Sequence, residues 1–323
     1  MNRRNASGAI LAAGSLLAIR AGAQQGWPDR PLRLVVPYPP GASTDALARM
    51  VGQRVSSVLG QPVVIENRAG ASGNIGSEHV ARAAPDGYTI LLGTDATHGS
   101  NMHMVANPPF HPVRDFTPLT LAAINPIVLV THPGVPANGV AELTHWVRRN
   151  PGQGGYGSSG AGSPHHLAGE LLRQRSGAPL LHVPYKGGAP AIADLLGAQI
   201  PMVFASAITV LPHIQSGKLR AIAVTSSARY ERLPDVPTIA ETFPGFDMSS
   251  WLAFFAPAGL PGAIQSRLAD EIVRALVDQD NRARLGAGGL IVVASSSVEL
   301  AATVQRDFEA RGRLIKEAGI QAQ

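Results

Sequence analysis

The chain has no cysteine among its 323 residues. That excludes thiolate nucleophiles, cysteine-bound zinc and iron–sulfur clusters, and it leaves no disulfide to brace the fold. Charge is also scarce. Asp, Glu, Lys and Arg make up 15% of the residues, against about 25% in an average domain. Only three are lysines, Lys186, Lys218 and Lys316. The net charge of +5 is inflated by Arg3, Arg4 and Arg20 in an acid-free first stretch, beyond which 24 basic residues face 22 acidic ones. No basic run with interleaved aromatics occurs, so no nucleic-acid partner is expected. No apolar run reaches the roughly 20 residues that cross a bilayer as a helix. An HExxH zinc motif and a GxxxxGK[ST] phosphate loop are both missing.

What is present begins with an export signature. Arg3 and Arg4 form a positive start, Ala9 to Ile19 a short apolar run, and Ala21-Gly22-Ala23 a small-residue cleavage site. The expectation is a signal peptide cut after Ala23 and a periplasmic location. Beyond it, strand and helix patterns alternate. Strands are expected at 33–36, 62–67, 88–92, 126–130, 180–183, 201–204, 219–225 and 290–293. Helices are expected at 45–59, with Ser43 or Thr44 as cap, and at 74–84, 140–149, 167–175, 189–196, 210–216, 262–279 and 297–318. Such alternation argues for α/β sheets covered by helices on both faces. The length suggests two domains, yet no linker divides the chain, which favours two lobes sharing several crossings.

Several chemical signatures fail on context. Gly152, Gly154 and Gly157 spell GxGxxG, but they follow a helix rather than a strand. Gly157-Ser158-Ser159-Gly160 lacks the final glycine of a nucleophile elbow, since position 161 is Ala161. His165 and His166 point about 100° apart on a helix, a poor metal pair, so no metal or cofactor is expected. What recurs is a strand, a turn rich in Gly, Ser or Thr, and a helix. It occurs at 37–45, 93–98, 156–163 and 183–189. Such turns offer unpaired N–H groups at a helix start, and small side chains let an anion approach. Four of them, two in each half, suit a cleft that holds a carboxylate with few formal charges.

The segments WPDRPLRLVVPYPPGASTDALAR (27–49), VIENRAGASGNIGSEHVARAAPDGYTILLGT (64–94), YGSSGAGSPHHLAGELL (156–172), HVPYKGGAPAIADLLGAQI (182–200), GKLRAIAVTSSARYERLPDVPTIAE (217–241) and WLAFFAPAGLP (251–261) carry a further signal. Together they resemble the substrate-binding proteins of tripartite tricarboxylate transporters, the Bug family. The resemblance implies a two-lobed type II periplasmic binding protein, each lobe a sheet flanked by helices with a ligand cleft between. It implies lobe one at 27–125 plus 246–323 and lobe two at 126–245. It implies ligand contacts at Tyr38, Pro40, Gly41, Ala42, Ser43, Thr44, Thr94 and His98 in lobe one. In lobe two it implies Ser158, Gly160, Ser163, His166, Lys186 and Gly187. Family members often carry an acid after the Phe corresponding to Phe204; here Ala205 stands there, which points to a ligand without an ammonium group. The Leu252-Ala253 pair replaces an aromatic-Gly pair common in the family. The implied function is a monomeric, non-enzymatic solute-binding protein for a small organic anion, partnered by membrane transporter subunits or a sensor kinase. An orphan sensor is one rival reading. A serine hydrolase using Ser158 or Ser159 with a nearby histidine is another.

Overall fold

The computed structural model describes residues 26–41 and 43–320. The expected signal peptide, and the ligand contact expected at Ala42, lie outside the described residues. Two sheets with helices on both faces form two lobes. The first sheet has the order β11-β4-β10-β3-β1-β2. Its strands are β1 (Leu32–Val36), β2 (Val63–Asn67), β3 (Thr89–Thr94), β4 (Phe116–Asn125), β10 (Ser250–Pro257) and β11 (Ile291–Val292). The second has the order β7-β6-β8-β5-β9. It comprises β5 (Ile127–Thr131), β6 (Gly155–Ser158), β7 (Leu181–Pro184), β8 (Met202–Ser206) and β9 (Arg220–Val224).

The helices are α1 (Ser43–Leu59), α2 (Asn74–Ala81), α3 (Val140–Arg149), α4 (Pro164–Ser176), α5 (Gly188–Leu196), α6 (Ala207–Gln215), α7 (Gly262–Val277), α8 (Gln279–Ala287) and α9 (Ser297–Glu317). In α3, Val140, Leu143, Thr144 and Val147 are buried, one stripe at helical spacing. In the first sheet, Leu34 and Val36 face α1 and α7, with Leu47, Val51, Leu268 and Ile272. Val35 faces the other way, toward Val80 of α2 and Leu300 and Val304 of α9. In the second, Met202 and Phe204 pack with α3 and α4, whereas Val203 and Ala205 pack with α5 and α6. This two-sided burial explains why the strands read as near-continuous apolar runs.

Several boundaries differ from the sequence reading. Helix α1 begins at Ser43 itself, so neither Ser43 nor Thr44 is its cap. Helix α4 starts earlier than residue 167, because Ser163 caps it by accepting the His166 N–H, with Pro164 at the first helical position. The helix expected over 262–279 is α7, which ends at Val277, and an unexpected helix, α8, follows it: the extended backbone of Asp278 (ψ 133°) ends α7, and its side chain caps α8 by accepting the Asn281 N–H. Strands β4 and β10 were not expected. Strand β4 carries Pro118, which has no ladder N–H to donate, and it pairs with Phe255 next to a register shift.

The lobes are joined in three ways. Strand β4 passes into β5 through Pro126 alone. The chain returns from Thr225 to Met248, and Thr225 Oγ1 donates to the Met248 carbonyl at 2.7 Å. Helix α9 is the third link. Leu300 and Val304 lie in the first lobe's core, while Leu314 and Ile315 lie in the second's.

One contact sets the spacing of α4 on its sheet. A Cβ at Gly169 would stand 2.1 Å from the Tyr156 ring. Gly169→Ala would favour the helix by up to about 1 kcal/mol, but overpacking in a filled core costs about 1–3 kcal/mol. The clash with a fully buried ring should win. Urea unfolding of this variant is expected to show a lower midpoint with an unchanged slope.

Candidate functional site

Topology brings one end of every strand to a single seam. Strands β1, β2 and β3 run parallel, so Val36, Asn67 and Thr94 end together. Strand β10 runs against β3, so its first residue, Ser250, lies there too, beside Asn125 at the end of β4. In the second sheet Ser158, Pro184 and Ser206 end β6, β7 and β8 side by side, and β5 starts opposite Ser206. Pro126 is therefore the shortest of bridges between two carboxyl-terminal edges. Helices α1, α4, α5 and α6 all begin along this seam. Ligands of open α/β sheets bind at such edges, and helix starts favour anions there.

On the first lobe, the Tyr38 hydroxyl and Thr94 Oγ1 are hydrogen-bonded at 2.8 Å. Burial raises the Tyr38 phenol above its ordinary value, so it stays a neutral donor. Gly73 admits this ring: with φ +94°, its backbone suits glycine, and a Cβ there would meet Tyr38 at 3.2 Å and Thr97 at 2.7 Å. Asp45 staples the loop, accepting the Gly41 N–H (3.1 Å), Arg49 Nε (2.9 Å) and Asn67 Nδ2 (3.0 Å). Arg49 is the main cause that holds its carboxyl down to about 2. Pro40, Gly41 and Ser43 are exposed. Thr44, by contrast, is buried, and its Oγ1 has no hydrogen-bond partner among the described residues.

On the second lobe, Ser158 Oγ lies 2.7 Å from His182 Nε2 and Ser159 Oγ 2.7 Å from His165 Nδ1. The His165 ring continues to Ser206 Oγ (3.4 Å), which accepts from Asn125 Nδ2 at 3.2 Å. A polar chain thus runs from the 158–166 turn to the crossing between the lobes. Ser163 Oγ donates to the Gly160 carbonyl at 2.7 Å, which fixes that turn. His166 Nδ1 accepts the Gly162 N–H at 2.9 Å, and its ring stacks on His182 with centroids 3.7 Å apart. Burial pushes His165 down to about 4, and burial with the neighbouring His166 does the same to His182. The lobes touch where Met104 lies against Gly162, whose φ of +73° and lack of a Cβ make room for the thioether. Lys186 is exposed and Gly187 half-buried at the start of α5.

Two positions to which the family resemblance points, His98 and Ala205, lie in the core. His98 is wholly buried, stacked on Phe255 at 3.9 Å beside Phe110 and Phe116. It faces the core, because the π-helical turn at Ala96–Ser100 turns it inward next to Thr94. Ala205 shares the α5- and α6-facing core with Val203, as strand alternation dictates. Ser158 and His166 are also buried, and their polar atoms serve the turn itself. Gly160, Ser163 and Lys186 retain exposure at the seam.

The serine–histidine pairs do not form a triad. Ser158 is fully buried. The carboxylate near its histidines, Glu170, is engaged by the Tyr156 hydroxyl (2.7 Å) and Arg173 Nε (2.8 Å). His165 has serines on both nitrogens and no acid behind it, so nothing orients a base there. Asn125, Ser206 and His182 were not anticipated as members of the seam. A strand-ending polar residue just before Pro126 was their one visible signal.

A separate cavity of about 840 Å³ lies between α9, the end of α4 and the segments 226–231 and 245–249. None of the turns described above lines it.

A sequence profile described as the tripartite tricarboxylate transporter family receptor matches residues 47–320. The protein BugT of Bordetella pertussis is 35% identical over 295 residues, covering 91% of this chain and 90% of that one. Rpa4515 of R. palustris, solved with adipate, is 34% identical with a TM-score of 0.77, covering 91% of this chain and 99% of that one. MatC of Rhodopseudomonas palustris, solved with malate, is 31% identical with a TM-score of 0.73, covering 90% of this chain and all of that one (100%).

Proposed function

This chain belongs to the tripartite tricarboxylate transporter receptor family, and from that membership we propose that it captures a small organic carboxylate at the seam between its lobes. The observation that carries the reading is Thr44. A buried hydroxyl without a partner costs about 1–3 kcal/mol, and here it stands in the first turn of α1, where an anion would accept its proton. Carboxylate binding by the adipate- and malate-bound neighbours supports the class of ligand.

In this reading the first lobe, 27–125 plus 246–323, grips the carboxylate with the hydroxyls of Tyr38, Ser43, Thr44 and Thr94 and with N–H groups of the loop that Pro40 and Gly41 shape. Water bridges complete the contacts at little loss of strength. The second lobe, 126–245, closes over the ligand with Gly160, Ser163, Lys186 and Gly187 by hinge motion. No bond is made or broken. The protein works in the periplasm as a monomer and hands its ligand to membrane transporter subunits. The acids nearest the seam are engaged: Asp45 by Arg49, Asp95 by Arg311, and Asp194 by the Tyr185 hydroxyl. A ligand ammonium group would find Asp45 and Asp95 already paired with arginines, which favours carboxylic acids over amino acids.

A thermal-shift screen of protein from Gln24 onward tests this, using di- and tricarboxylates, aromatic acids, amino acids and neutral controls. Denatured and refolded material excludes masking by co-purified ligand. Ligand at 100 times its dissociation constant adds about 2.7 kcal/mol, a rise of a few degrees at this size. A response confined to non-amino carboxylates is expected. Tight binding of aspartate or glutamate would overturn the selectivity, and a flat panel would overturn the carboxylate reading.

A further inference from the structure

We propose that Arg311 is a positioning residue for the seam. Acting through Asp95, it locks the turn that follows Thr94 to the entry of β10, the crossing strand on which the chain returns to the first lobe, and to a helix that both lobes share, so that the shape of the turn and the angle between the lobes change together. The proposal rests on the binding reading above and extends it to a residue outside the ligand turns.

Asp95 follows Thr94 directly, and its two carboxylate oxygens serve different segments. Oδ2 accepts from Arg311 Nη1 at 2.6 Å. Oδ1 accepts from Ser250 Oγ at 2.9 Å and from the Trp251 N–H at 3.3 Å. Arg311 Nη2 then donates to the Ser249 carbonyl at 2.8 Å. Both side chains are almost completely buried, 3% and 2% exposed. One ion pair thus clamps the site turn, the entry of β10 and α9, although its members are 216 positions apart.

Helix α9 is built to straddle. Its first half packs in the core of the first lobe and its last turns in that of the second, with Arg311 between them. Asp307, one turn before, accepts the indole N–H of Trp251 at 2.7 Å, which adds a second tie to the crossing strand. Two glycines let the helix come close. A Cβ at Gly99 would lie 2.9 Å from Arg311 Cδ, and a Cβ at Gly312 would lie 2.5 Å from the His103 ring. Rotation of the lobes about residues 249–251 must therefore carry α9 with it. Its pivot is the guanidinium that holds the residue next to Thr94. A pair serving stability alone would need neither the shared helix nor a grip on the crossing strand.

The lack of cysteine makes the test clean. Val64→Cys and Leu181→Cys place spin labels on exposed positions (50% and 69%) of the outermost strands of the two sheets. Pulsed electron paramagnetic resonance then reads the distance between lobes. Two changes are compared with the labelled parent. Gly99→Ala keeps both charges and displaces Arg311. Asp95→Asn with Arg311→Met removes both charges together and leaves no lone buried ion. Adipate and malate serve as binding probes in calorimetry.

Both variants are expected to fold, with a shifted or broadened interlobe distance even without probe, and with affinity for any probe the parent binds lowered about tenfold. A distance distribution as narrow and as centred as the parent's in Gly99→Ala, with only a lower melting temperature, would reduce Arg311 to a structural role and overturn the proposal. The Gly99→Ala result decides even if the double variant fails to fold. A parent that binds no carboxylate in the full panel overturns the binding reading instead, and the distances still decide whether Arg311 sets the angle.

Discussion

Lowering the pH from 7.5 to 5 is expected to cost the folded state about 4 kcal/mol through His98 and His165 alone. Burial pushes His98 down to about 3 and His165 down to about 4. In the unfolded chain each takes up a proton near pH 6.5, whereas in the fold neither does until the solution is far more acidic. Their contribution to stability is complete above pH 6.5 and is lost as the pH falls toward the folded values. The loss is about 1.4 kcal/mol per pH unit per group. His182, pushed down to about 4, works in the same direction. Asp45, held down to about 2, also loses stability in acid, but only below the ordinary carboxylate range near 4. Burial raises the Asp95 carboxyl against the pull of Arg311, so that group opposes the trend. Urea unfolding at the two pH values measures the difference. His165→Gln, which keeps polar contact with Ser159 and Ser206, should remove about half of it. Equal unfolding free energies at pH 5 and 7.5 would mean that these rings titrate normally in the fold.

Thr44→Val is expected to move stability and binding in opposite directions. Valine has nearly the shape of threonine and removes a buried hydroxyl that has no partner among the described residues. Relief of that desolvation should raise unfolding free energy by up to about 1 kcal/mol. A hydrogen bond to a charged carboxylate contributes about 1.5–3 kcal/mol, so affinity for the bound acid should fall about 10- to 100-fold. Calorimetry and chemical denaturation on the same preparation check both arms. A variant that is less stable yet binds unchanged would remove Thr44 from the site.

Most of the α/β order was legible because each buried strand is a compact apolar run and each covering helix shows one stripe. The four Gly-, Ser- and Thr-rich turns were legible as strand-to-helix connections. That they could share one cleft was legible, but the pairing that joins the two sheets there was not: β10 enters between β3 and β4, across more than 120 positions, and no local pattern encodes it. Strand β10 (SWLAFFAP) is buried on both faces and has no alternation to read. Helical periodicity in α9 identified an apolar face but not that its two ends serve different lobes. His98 illustrates the same limit within one turn. Thr94 and His98 are four residues apart, yet the π-helical turn sends one to the seam and the other among phenylalanines. For Ala205, alternation with Val203 was the better guide, since it places the side chain in an apolar core.

The place of β10 in its sheet also dictates a timetable. Strands β1 to β4 emerge first from the ribosome, but β4 and β3 are not neighbours; they meet only through β10. The first sheet therefore stays in two pieces until residue 257 is available, and its cover remains incomplete until α9 arrives. The second sheet, whose five strands lie between residues 127 and 224, has all its pairing partners much sooner. The middle of the chain can fold while its beginning waits for its end, so closing the long loop between β4 and β10 is the natural slow step. Until then the apolar strands β1 and β3 are open to any chaperone that keeps a nascent chain unfolded.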